Sequence, residues 1–92
     1  MIIVNQQFMY QLSKMNNLIH LTNNNQSIIF VYLMYDNCLL QIAQIEPKGS
    51  DLKRIPAGSI VLAKQGDYMN DILVPKDTIA VKTVSEENYH IF

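Results

Sequence analysis

Residues 27–45 constrain this chain most. Residues 27–35 are a run of β-branched, aromatic and other apolar side chains. Asp36-Asn37 follows, and then a second strand-like run over residues 38–45. β-Branched and aromatic residues fit a pleated, half-buried surface. Asp and Asn tolerate the left-handed backbone of a tight turn. The pattern predicts a β-hairpin turning at Asp36-Asn37, with its first strand buried on both faces.

The flanking segments extend that reading. Leu18 to Thr22 is a short strand, and the Asn-rich residues 23–26 are a turn. Glu46-Pro47-Lys48-Gly49-Ser50-Asp51 marks a loop. Ile55-Pro56 and Val74-Pro75 open two copies of one pattern: apolar, Pro, two variable residues, a hydroxyl, then an apolar run. Proline cannot donate to a ladder, so each copy is read as the start of a strand. Gln65-Gly66-Asp67 is read as the turn between them, and Asp67 to Asp71 as a solvated acidic turn. Residues 89–92 are either a final edge strand or an unstructured tip. Before all of this the period differs. Phe8, Met9, Leu12 and Met15 form an apolar stripe at helical spacing, with Asn5 as N-cap and Asn16-Asn17 as the stop. The expectation is one strand-dominated α+β domain over residues 1–92. A short helix over 5–16 packs on a strongly bent antiparallel sheet or small barrel over 18–60, and residues 61–92 add further strands.

The totals narrow the function. Seven basic and eight acidic residues leave a formal charge of −1. That balance argues against a strongly electrostatic nucleic-acid binder but leaves room for a local basic patch. One cysteine, Cys38, excludes an intrachain disulfide and suits a reducing cytoplasm. The longest apolar run ends at Tyr35. It falls far short of a membrane helix, which needs roughly 20 residues. Met1-Ile2-Ile3-Val4 lacks the charged start of a signal peptide. The chain has 92 residues, of which 49% are hydrophobic. A core of that size is small, and the apolar content points to oligomerisation as the supplement.

Four stretches carry a family resemblance. They are Gln7-Phe8-Met9-Tyr10-Gln11-Leu12-Ser13-Lys14-Met15-Asn16, Ile19-His20-Leu21 with Asn24-Asn25, Tyr35-Asp36-Asn37, and Leu52-Lys53-Arg54. In this order they resemble the Hfq branch of the Sm family over residues 5–60. The resemblance implies an N-terminal helix on an Sm-like β-barrel, a homo-oligomeric ring and single-stranded RNA as ligand. It places Asn5, Gln6, Asp36 and Asn37 near a pore, where they could hydrogen-bond the exposed edges of bases. Lys53 and Arg54 would contact phosphate there, since the guanidinium fork suits that anion. Tyr10, on the polar side of the helix, is an aromatic available for stacking. The chain departs from the family at Thr22 and Cys38, where stacking aromatics are expected.

Five of these residues also have a plain structural role. Asn5 serves as a cap, Asp36 and Asn37 as turn residues, and Lys53 and Arg54 as a solvated pair. Cys38 with His20 or His90 lacks an orienting acid and an oxyanion element, so no enzyme is expected. No spacing suits a metal, and no cofactor motif is present. Three function classes remain: an Sm-like oligomer binding single-stranded RNA, a protein-interaction module acting through exposed strand edges, or a small-molecule binder formed at a subunit interface.

Overall fold

The computed structural model describes residues 16–84 and 89–92, and places seven strands in two sheets. The strands are β1 (Asn16–Thr22), β2 (Ile29–Tyr35), β3 (Cys38–Ile45), β4 (Ser50–Pro56), β5 (Ile60–Met69), β6 (Ile72–Thr83) and β7 (Tyr89–Ile91). Sheet A has the order β4-β1-β7, with β4 antiparallel and β7 parallel to β1. Sheet B is an antiparallel sheet of order β3-β2-β5-β6.

Two expectations are corrected. The described residues contain no helix, so they form an all-β arrangement rather than an α+β one. The helix expected over 5–16 falls outside the described residues, apart from Asn16, which opens β1. A single bent sheet or closed barrel is also replaced. Between β3 and β4 the chain leaves sheet B for sheet A, and among the described residues each sheet keeps two edges.

Strand alternation explains how the sheets face each other. Successive side chains on a strand point to opposite faces. Ile19 and Leu21 on β1, Ile29 and Val31 on β2, Ala43 and Ile45 on β3, and Val61 and Ala63 on β5 are all buried at this two-residue spacing. With Ile55 and Val84 they form one cluster, the core between the sheets. Lys82 reaches across, donating to the Ile91 carbonyl and lying 5.5 Å from the centre of the Phe92 ring.

The hairpins owe their geometry to primed turns. A two-residue type I′ turn requires positive φ at both central residues. Asp36 and Asn37 meet that requirement, at φ 50° and 63°. The hairpin expected here is thus present, with Tyr35 opposite Cys38. Asn70 and Asp71 repeat the device between β5 and β6, at φ 54° and 67°. The turn therefore lies at Asn70-Asp71, and Gln65-Gly66-Asp67 is mid-strand. The prolines are reassigned too. Pro56 ends β4 and begins a turn in which Gly58 adopts φ 84°. Ser59 N–H closes that turn by donating to the Pro56 carbonyl. Pro75 lies within β6, opposite Gly66, on an edge where its missing N–H costs no ladder bond.

Gly66 has a different task from turning the chain. A Cβ there would lie 2.9 Å from the Phe30 ring and 3.1 Å from the Ile28 carbonyl oxygen. The Gly66 N–H donates to that same oxygen at 2.7 Å. The glycine thus lets β5 close over Phe30, which is buried on the face of sheet B away from the core.

Among the described residues, one buried side-chain nitrogen lacks a partner. His90, beside Leu21 in the parallel pair, is 8% exposed, and its Nε2 has no hydrogen-bond partner. An unpaired buried nitrogen is a desolvation cost. His90→Leu is therefore expected to leave stability unchanged or raise it by up to about 1 kcal/mol. The urea midpoint of the variant checks this, and a fall in midpoint would assign the imidazole a bonding role.

Candidate functional site

The expected RNA-binding residues are dispersed. Asn5, Gln6 and Tyr10 lie outside the described residues. Asp36 and Asn37 form the β2–β3 turn at one end of sheet B. Lys53 and Arg54 lie in β4, at an edge of sheet A. As neighbours on a strand they point to opposite faces. Lys53 lies opposite the buried Ile19 and faces the core side of the edge, 3.6 Å from the Asp51 carboxylate. Arg54 lies opposite Leu18 on the outer face. Adjacent in sequence, the two cations do not form a common patch.

The other reactive side chains are separated as well. Cys38 is exposed at the start of β3 in sheet B. His20 and His90 belong to strands of sheet A. Among the described residues no three His, Cys, Asp or Glu side chains gather as a metal site. A cleft of about 300 Å³ lies where β5 passes the loops after β1 and β3, lined in part by Ser27, Glu46, Asp67 and Tyr68. Its wall is braced by Gln65 Nε2 donating to Ser27 Oγ at 3.3 Å. The cleft thus presents two carboxylates and two hydroxyls, with no cation among its lining residues.

The sheet edges are more informative. An open edge exposes unpaired N–H and C=O groups, and proteins blunt it with charge, proline, bulges or shortness. β4 carries Asp51, Lys53, Arg54 and Pro56. β6 carries Pro75, Lys76, Asp77 and Lys82, and its pairing with β5 is interrupted by two register shifts. β7 is three residues long. β3 reads Cys-Leu-Leu-Gln-Ile-Ala-Gln-Ile, with no charge and no proline. It has one bulge, which leaves Ile42 out of register between Gln41 and Ala43. Leu39 and Leu40 are 43% and 48% exposed, and Met34 and Tyr35 beside them are exposed as well. Among the described residues, β3 is the edge without charge, proline or extreme shortness.

This edge was half visible in sequence. The neutral run after Asp36-Asn37 is plain, but only the strand order places it at a border. No protein-family model, curated protein or solved structure matches the chain. Among the described residues, no helix is long and apolar enough to cross a membrane.

Proposed function

We propose that the protein is a protein-interaction module whose recognition element is the open edge of β3. The observation that carries this reading is the contrast among the edges. Charge, proline or shortness protects β4, β6 and β7. β3 instead carries no charge along its eight residues, and Cys38, Leu39, Leu40, Gln41 and Gln44 are exposed. In β-augmentation the main chain supplies affinity through ladder hydrogen bonds, and alternate side chains supply specificity. Leu39 and Leu40, on opposite faces of the edge, are the anchors available for that purpose.

An Sm-like ring binding single-stranded RNA is the other proposal, and it has less support. Asp36 and Asn37 are accounted for by their positive φ angles, and Lys53 and Arg54 diverge. The two readings separate in one experiment. Tagged wild-type chain and Gln41→Lys are purified in parallel from the protein's own cells at low salt, and the complexes are weighed by native mass spectrometry. Wild type is expected to hold protein partners, with no nucleic-acid mass, and Gln41→Lys to lose them. Co-purified RNA, or a complex indifferent to Gln41→Lys, would overturn the edge reading.

A further inference from the structure

The chemistry of β3 also indicates which strand it accepts. We infer that β3 pairs antiparallel with β3 of a second copy of this chain, about a twofold axis through Gln41, joining two four-stranded sheets into one. This inference rests on the edge-recognition reading above and adds the identity of the partner.

A twofold dimer must satisfy three conditions: its paired residues share a face, no like charges meet, and volumes match. The first is set by the ladder with β2. Gln41 lies opposite Tyr32 and Ala43 opposite Val31, so Ile42 is the extra, bulged residue. Counting paired positions only, Gln41 is the midpoint of the strand. Leu40 and Ala43 flank it and both face the core side, beside Leu33 and Val31. Leu39 and Gln44 come next, on the outer face beside Met34 and Phe30. Cys38 and Ile45 end the series on the core side. Full-length pairing about Gln41 therefore sets Leu40 against Ala43 of the second copy, Leu39 against Gln44 and Cys38 against Ile45. Every pair shares a face, and each core-side pair sets a larger side chain against a smaller one.

The second condition separates β3 from the other edge of similar length. β4 centred on itself sets Lys53 directly against Lys53, a repulsive pair. β3 centred on itself sets Gln41 against Gln41. Primary amides carry both donors and acceptors and can bond each other. Self-pairing is thus neutral along the whole strand, and it covers the exposed Leu39 and Leu40. A seam of one strand pair is at the small end of specific interfaces, so the dimer is concentration-dependent, with a dissociation constant on the order of micromolar.

A charge-swap experiment tests this with the full chain. Sedimentation equilibrium from about 1 to 300 μM brackets that dissociation constant. Wild type is expected to pass from 10.6 kDa to twice that mass. Gln41→Lys and Gln41→Glu each set like charges on the axis and are expected to weaken the dimer about tenfold or more. Circular dichroism is expected to stay at wild type, since Gln41 is exposed. An equimolar mixture of the two variants is expected to regain the dimer, because a lysine then meets a glutamate. Val81→Lys, on the β6 edge, is expected to leave it intact. Three results overturn the inference: a monomer throughout the range, a mass above two copies, or a dimer that responds to Val81→Lys and not to the Gln41 variants. A monomeric wild type whose native partners are still lost in Gln41→Lys sinks the second copy alone. Native complexes indifferent to Gln41→Lys sink the edge reading itself.

Discussion

Asn23→Ala is expected to lower the unfolding free energy by about 3 kcal/mol, from several buried or partly buried groups at about 1–3 kcal/mol each. Asn23 is fully buried at the end of β1. Its Nδ2 donates to the carbonyls of Ser27 at 2.8 Å, Ile45 at 3.0 Å and Glu46 at 3.2 Å. Its Oδ1 accepts from Asn25 N–H at 2.9 Å and Asn25 Nδ2 at 3.0 Å. One side chain thus holds the β1–β2 loop to the end of β3. Alanine leaves the buried Ile45 carbonyl without this donor. In a domain of this size the loss corresponds to a fall in Tm of roughly 12–24 °C. Asn23→Asp is expected to be no better, because a carboxylate has no N–H to give those carbonyls. A Tm within two or three degrees of wild type for either variant would show that the loops hold without this hub.

The second large effect is at Gly66. Gly66→Ala is expected to destabilise by about 1–3 kcal/mol, the usual range for overpacking. The new methyl meets the Phe30 ring at 2.9 Å and the Ile28 carbonyl oxygen at 3.1 Å, with Leu73 at 3.3 Å. The ring can yield, whereas the carbonyl is fixed by the Gly66 N–H bond. A double-mutant cycle separates the two. In a Phe30→Leu background the cost of Gly66→Ala should shrink without vanishing. An equal cost in both backgrounds would assign the effect to the backbone contact alone. Chemical denaturation of the four proteins supplies the numbers.

These two sites show what sequence reading reaches and what escapes it. Asp36-Asn37 was legible because a primed turn needs residues that accept positive φ between two strand-forming runs. Asn70-Asp71 carries the same chemistry between Met69 and Ile72 and lies inside the acidic turn read over Asp67 to Asp71, but nearby Gly66 drew a second turn upstream. Glycine marks a turn or a close approach alike, and only the position of Phe30 decides which. The pairing of His20–Thr22 with Tyr89–Ile91 had no local signal, so the division into two sheets was not legible. The same holds for the candidate site. The neutral composition of β3 is a property of its sequence. Its place at a border, and the protection of the other borders, are properties of strand order. Lys53 and Arg54 misled for a simple reason: neighbours in sequence are opposite in space on a strand.

The parallel pair of β1 and β7 has a consequence during biosynthesis. Sheet B arises from residues 29–83 through successive antiparallel partners, two of them joined by tight hairpins. It can form as those residues emerge. Sheet A draws its middle strand from residues 16–22 and one border from residues 89–91. Until the latter leave the ribosome, β1 has β4 on one side only. A nascent chain stalled before residue 89 would present Leu21 and Thr22 to solvent and to neighbouring polypeptides. The smaller sheet therefore stays incomplete until residues 89–91 follow, and through that interval β1 keeps one open side.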